Sequence, residues 1–321
     1  MLTIKVSFKE ENQRIDKFVR KYLNEAPLSF IYKLFRKKDI KINSHWVKPE
    51  CIIHENDVVT IYVSEDQLKD FSKPKELTKQ NLKYEIIYED ENILIINKPR
   101  GILVHGDKNE KRNTLSNEVL NYLYFKNEYN PRNDHGFIPG PAHRLDRNTS
   151  GIVVFGKNLV SLQELENLFK DKTDIKKIYQ ALVVGSISSC QDINLPLIKD
   201  SSSGKVKVGK IKDGAKTALT KISPYKHFKD YSLINVELVT GRTHQIRVHL
   251  SYINHPIVGD SKYGDFQINK LFKEKYHFEN QFLHAYLLKF ENIKGHLSYL
   301  SNKSFFASMP KEELKILEQL D

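Results

Sequence analysis

The sequence predicts an α+β protein in two parts: a large domain on a mainly antiparallel, twisted sheet, and a smaller α/β module ahead of it. Three observations carry that reading. Strand-like apolar runs set off by turn signals recur from residue 84 onward, with helical spacing between them. The first 66 residues hold a different pattern, two short amphipathic helices followed by two short strands. Residues 67–83, in between, are lysine-rich and polar around Pro74 and show no periodicity, as a linker would. The expected division is a module over 1–66, a linker over 67–83 and a main domain over 84–321.

In the module, Ile15, Phe18, Val19, Tyr22 and Leu23 fall on one apolar helix face. Pro27 ends that helix, Ser29 is placed to cap the next, and Leu28, Ile31, Leu34 and Phe35 give it a core side. Its outer side is basic, with Lys33, Arg36, Lys37, Lys38 and Lys41 interrupted by a single acid, Asp39. That density suits phosphate contacts; a solvated charge run is the plainer alternative. Strands over 40–42 and 58–63 follow, with turns at 43–45 and 55–57.

The main domain opens with two strands over 84–99 joined by an acidic turn. Helical spacing marks 115–124, and a loop over 127–140 delivers the chain to His143. Ser161 and Glu164 have the spacing of a capping box, opening a helix whose buried face is Leu162, Leu165, Leu168 and Phe169. Residues 176–185 alternate as a strand with Tyr179, Ala181 and Val183 on one face. From 192 to 213 the chain is polar, with Ser201, Ser202, Ser203 and Gly204 among lysines, a hairpin or finger. A strand over 232–238 ends at Thr240 and Gly241, Thr243 is placed to cap a helix running through Leu250, and 311–320 is a terminal helix.

Composition narrows the function classes. With 40% hydrophobic and 28% charged residues the chain is globular rather than disordered. The 51 Lys and Arg against 40 Asp and Glu leave +11, which favours a polyanionic partner. Cys51 and Cys190 are too few for a disulfide framework or a cysteine-based zinc site, so a cytoplasmic setting is expected. No apolar run reaches the length of a membrane span. His244 and His249 are five apart and face different ways on a helix, a poor metal pair. Phosphate-binding glycine loops, dinucleotide fingerprints, zinc helices and serine elbows are missing from the sequence.

The chemistry-bearing stretch runs from Pro141 through His143, Arg144, Leu145, Asp146 and Arg147 to Gly151, and enters the apolar run Ile152, Val153, Val154, Phe155. An acid between two arginines on a polar turn is held ionised by their charge and kept within reach of a ligand. Taken alone, Arg-Leu-Asp-Arg reads first as a structural salt bridge at a strand entrance. A second element, Thr240-Gly241-Arg242-Thr243-His244-Gln245-Ile246-Arg247-Val248-His249-Leu250, is basic and lies far along the chain.

Together the two stretches resemble the signature of the RluA family of pseudouridine synthases. Lys98-Pro99-Arg100-Gly101 with Val104 and His105 resembles that family's first motif, and the N-terminal pattern resembles the S4 RNA-binding module. The resemblance implies the pseudouridine synthase fold with a central cleft and a cofactor-free RNA uridine isomerase without metal. It implies Asp146 as the catalytic acid, Tyr179 as the ring that stacks on the target base and Arg247 as the partner of the acid. Arg144, His143, Arg147, Arg242, Lys98 and His105 are the expected substrate contacts, although fixing the loop under the site suits Lys98, Arg100 and His105 as well. The expected partner is RNA, most closely large-subunit ribosomal RNA, bound by a monomer. The rival readings are a non-catalytic RNA-binding ribosome-assembly protein and a nucleoside hydrolase, the second of which needs another carboxylate or a metal beside Asp146.

Overall fold

The computed structural model describes residues 1–73, 76–78, 81–131, 134, 136–200 and 205–321. The N-terminal helices form where the apolar spacing puts them, at Ile15–Tyr22 and Leu28–Arg36, and Ile15, Phe18, Val19, Ile31, Leu34 and Phe35 share one buried cluster. They pack on an antiparallel sheet ordered Leu2–Lys5, Val58–Ile61, Ile40–Ile42, His45–Trp46. Strand alternation sends Ile4, Val59, Ile61 and Ile40 into that cluster. Ser29 does not cap its helix: the chain enters straight from Pro27, with no side-chain cap.

A helix over Glu65–Phe71 stands where the linker was expected to begin. Ser64 accepts from the Gln67 amide in a capping box, and Leu68 and Phe71 pack on the N-terminal cluster. Pro74 lies outside the described residues.

The main domain is built on a ten-stranded sheet with the order Gln191–Asn194, Leu219–His227, Tyr231–Leu238, Ile175–Val184, Leu283–Phe290, Ser150–Gly156, Ile93–Lys98, Ile86–Glu89. Two short strands, Gly140–Pro141 and Ser304–Phe306, pair off that path. All of its pairs are antiparallel except Ser150–Gly156 against Leu283–Phe290. The expected α+β class with a mainly antiparallel sheet is what the chain adopts. Strands Ile93–Lys98 and Ser150–Gly156 are apolar without alternation because both their faces are covered. Leu94, Ile96, Val153 and Phe155 meet the helix Leu115–Phe125, while Ile93, Ile95, Ile152 and Val154 meet the helix Leu159–Asp171.

That last helix starts earlier than the expected capping box. Asn158 caps it by accepting from the Ser161 amide at 2.8 Å, and Ser161 is buried inside the first turn. Leu197–Lys199 and Val206–Val208 form the expected hairpin; its expected tip, Ser201 to Gly204, lies outside the described residues. Among the described residues no helix is long and apolar enough to cross a membrane.

Candidate active site

The loop that carries Asp146 is fixed from both sides. Leu145 is buried, and the Thr149 amide donates to the Asp146 carbonyl at 3.1 Å, closing a turn. Gly151 follows at φ +109, where the strand passes so close to Ala285 that a side chain would meet the Ala285 backbone. Beneath the loop, the fully buried Lys98 ammonium donates to the carbonyls of Pro99 (2.8 Å), Ile102 (3.0 Å) and Arg147 (3.0 Å). The Gly101 amide donates to the same Arg147 carbonyl at 3.0 Å. Burial pushes the Lys98 amine down to about 7, against the pull of Asp146. Three carbonyl acceptors use all three N–H bonds of the ammonium. Of its two expected roles this geometry favours fixing the loop under the site: Lys98 is the peg that ties the first motif to the Asp146 turn. Lys98→Met keeps the volume but strands three acceptors, and we expect it to cost roughly 3 kcal/mol in urea unfolding. A cost below about 1 kcal/mol would count against the peg.

Opposite the loop, the helix Gln245–Tyr252 presents Arg247. Thr243 is not its cap; His244 occupies that position at φ +53 without a side-chain cap bond. Arg247 Nη1 donates to Asp146 Oδ2 at 3.0 Å, while Nε and Nη2 donate to the two oxygens of Asp260 at 2.6 and 2.8 Å. Asp260 is buried and also accepts the backbone amides of Lys262 and Tyr263. Burial alone would push its carboxyl up, but the Arg247 bonds and charge and the two amides hold it below the usual range. Asp260 had no role assigned from the sequence. An aspartate after Val258-Gly259 gives no sign by itself of an arginine thirteen residues earlier.

His244 and Tyr263 were also unassigned. The Tyr263 hydroxyl lies 3.0 Å from His244 Nδ1 and accepts the Val206 amide at 2.9 Å, and its ring lies 5.2 Å under the Arg247 guanidinium. His244 Nε2 stands 3.8 Å from Asp146 Oδ2. Burial holds the His244 imidazole below its ordinary value, against the pull of Asp146.

Asp146, His244 and Arg247 line a cleft of about 700 Å³. Tyr179 is buried in its wall at a bulge in the pairing of Ile175–Val184 with Leu283–Phe290. Burial, reinforced by the Asp146 charge, pushes the phenol far up, so it stays protonated. Arg144 and Arg242 are exposed at the cleft, and Arg242 Nε also donates to the Thr217 carbonyl at 3.0 Å. His143 lines it too, but its Nε2 accepts the Val154 amide at 3.3 Å and its ring packs 4.1 Å from that of Phe169. Burial, then Lys177, holds His143 well below its ordinary value, so it is a neutral part of the wall. Arg147 and His105 are exposed but do not line the cleft; His105 Nδ1 sits 3.4 Å from Ser116 Oγ. Lys33, Arg36, Lys37 and Lys38 are exposed on the N-terminal part, with Lys41 partly buried beside them.

Two further cleft lysines, Lys172 and Lys177, had no role assigned from the sequence. Burial, then Arg242, pushes Lys172 down to about 8; burial, then Lys172, pushes Lys177 down to about 7. Both lose their positive charge as pH rises through those values, so binding an anion takes up protons and weakens toward alkaline pH. Affinity for RNA at fixed ionic strength is expected to fall roughly tenfold between about pH 6 and about pH 9. A flat profile would contradict this.

The arrangement is a carboxylate paired to a locked guanidinium, next to a neutral aromatic ring in a basic cleft. Comparison with known proteins agrees in kind. A family model described as RNA pseudouridylate synthase matches residues 92–252. A ribosomal large subunit pseudouridine synthase C from Vibrio parahaemolyticus is 36% identical over 284 residues, 87% of this chain and 85% of that one. One from Pasteurella multocida is 36% identical over 307 residues, 92% of this chain and 86% of that one. Among solved structures, human RNA pseudouridylate synthase domain containing 4 aligns with a TM-score of 0.58 at 23% identity, over 73% of this chain and 92% of that one, a likeness of fold.

Proposed function

This chain belongs to the RluA family of RNA pseudouridine synthases, and from that premise we propose that it isomerises uridines of large-subunit ribosomal RNA at Asp146. The reaction breaks the bond between uracil N1 and ribose C1′, turns the base while it stays bound and joins C5 to C1′. A proton leaves C5 and one is gained at N1, so the product is an isomer and needs no cofactor. The observation that carries the reading is the Asp146–Arg247–Asp260 chain in a basic cleft beside Tyr179.

Asp146 acts on the ribose, attacking C1′ or taking the C2′ proton, and either role needs a carboxylate held in place by fixed charges. Arg247, fastened by Asp260, does the holding. The target uridine must leave its stack to reach that depth. Tyr179 stacks on the everted base as a neutral phenol, and Arg144 holds the base out of the RNA or fills the place it leaves. Arg242, Lys172 and Lys177 face phosphates at the cleft, and Arg147 and His105 meet the strand beside it. His143 shapes the wall. Residues 1–66 form an S4-like module that binds RNA through Lys33, Arg36, Lys37, Lys38 and Lys41, with the peptide after the helix Glu65–Phe71 leading into the catalytic domain. The protein works as a cytoplasmic monomer. The large-subunit target rests on the Vibrio and Pasteurella relatives.

Joining through C5 expels the C5 hydrogen, so RNA transcribed with 5-tritiated uridine reports turnover as tritium in water. Release is expected from large-subunit and not small-subunit ribosomal RNA. Release from neither would reject the isomerase reading, and release from the small-subunit RNA alone would reject the target.

A further inference from the structure

The N-terminal sheet has a second face that the helices do not cover. Trp46 pairs with Lys41 and Lys41 with Thr60, and paired residues point to the same side, as does Tyr62 two positions on from Thr60. Thr3 and Lys5 join them through their pairing with Thr60 and Val58. This is the side opposite Ile4, Ile40, Val59 and Ile61, which fill the core.

On that outer face two aromatic rings stand open, Trp46 at 45% exposure and Tyr62 at 43%. Each has a lysine over it: Lys38 Nζ lies 5.4 Å from the Trp46 ring centre and Lys41 Nζ 5.2 Å from that of Tyr62. The indole is anchored at its edge, its Nε1 donating to the Phe35 carbonyl at 3.3 Å. Edge anchoring sets the plane of the ring and leaves its surface to a partner. A large ring exposed on a four-stranded sheet adds nothing to the core, and lysines beside it disfavour burial against another apolar surface. Flat π-surfaces with cations between them fit a polyanion whose flat bases are free to stack. A duplex keeps its bases stacked on one another and offers such a sheet only its backbone.

We propose that this face, through Trp46 and Tyr62, stacks unpaired nucleobases of the RNA substrate, with Lys38 and Lys41 moving from the rings to the flanking phosphates. The site adjoins the basic helix surface of Lys33, Arg36 and Lys37, since Trp46 bonds to the Phe35 carbonyl and Lys38 follows Lys37, and it adds a preference for single-stranded segments. It rests on the reading of residues 1–66 as an RNA-binding module.

Trp46 is the single tryptophan of the chain, so intrinsic tryptophan emission reports this face alone. The full-length protein is titrated with a single-stranded RNA oligonucleotide and, separately, with the same sequence as a duplex, while binding is followed independently by mobility shift. Single-stranded RNA is expected to quench Trp46 emission by half or more at saturation and the duplex to leave it nearly unchanged. Trp46→Ala and Tyr62→Ala are each expected to weaken the single-stranded complex about tenfold, with Trp46→Phe staying within about threefold of the parent. Saturated single-strand binding with unchanged emission, or equal quenching by the duplex, overturns the stacking face and leaves the module reading standing. RNA affinity unmoved by a combined Lys33→Gln, Arg36→Gln, Lys37→Gln variant overturns the module reading and this inference with it.

Discussion

Asp146→Asn lowers turnover by on the order of 10⁴-fold while RNA affinity stays within about threefold of the parent. The amide has the shape of the carboxylate and still offers an oxygen to Arg247 Nη1, which lies 3.0 Å from Oδ2 in the parent. It is neither a nucleophile nor a base, so binding survives and chemistry stops. Single-turnover assays on ribosomal RNA with the variant in excess separate the two. Activity within tenfold of the parent would reject Asp146 as the reacting group. The same geometry weighs against Asp260 as the second carboxylate of a hydrolase. Buried behind Arg247, it has both oxygens occupied by Arg247 and by backbone amides, which leaves neither free for a sugar.

Asp260→Ala lowers stability as well as turnover. Removing the buried partner leaves the Arg247 charge with only the half-exposed Asp146 to balance it, which costs about 3–5 kcal/mol. Arg247 then loses the two bonds that aim it at Asp146, so turnover falls as well. The pH dependence follows from the sign of the shift. The Asp260 carboxyl is held below its unfolded value, so its contribution is complete above the ordinary carboxylate range, near pH 4. It is lost as pH falls through the folded value. Thermal or urea unfolding of the pair of proteins should show a constant gap from about pH 5 to about pH 8 that shrinks below about pH 4. A gap under about 1 kcal/mol at neutral pH would show that the ion pair adds nothing.

Much of the fold was legible because burial and periodicity coincide. Ile15, Phe18, Val19 and Tyr22 share a helix face by their spacing, and the apolar runs at 93–96 and 152–155 read as strands, which the structure covers on both sides. What the sequence concealed was mostly local. Helix entry at Asn158 rather than Ser161, and at Pro27 without Ser29, turns on which residue leaves the helical backbone, and several nearby polar residues offer similar chemistry. The helix Glu65–Phe71 was visible in the pairing of Ser64 with Gln67, but its surroundings are so polar that no apolar stripe marked it.

In the site, motif residues were readable and their supports were not. Asp146, Arg247 and Tyr179 do converge on one cleft. Asp260 and Tyr263 reach Arg247 only through the tertiary path of the chain, so no spacing rule announces them. Lys98 lies between these cases. A lysine in a motif reads as a ligand contact or as a loop support, and the three backbone carbonyls that take its donors favour the second.

One carboxylate, steered by Arg247, is expected to convert uridine to its C5 glycoside within RNA. Incubating unmodified large-subunit ribosomal RNA with the protein and then sequencing for pseudouridine, with free uracil measured in the same sample, tests it most directly. Pseudouridine at discrete positions, no free uracil, and no product with Asp146→Asn is the predicted result. Free uracil with abasic sites, or an unmodified RNA after full binding, would contradict it.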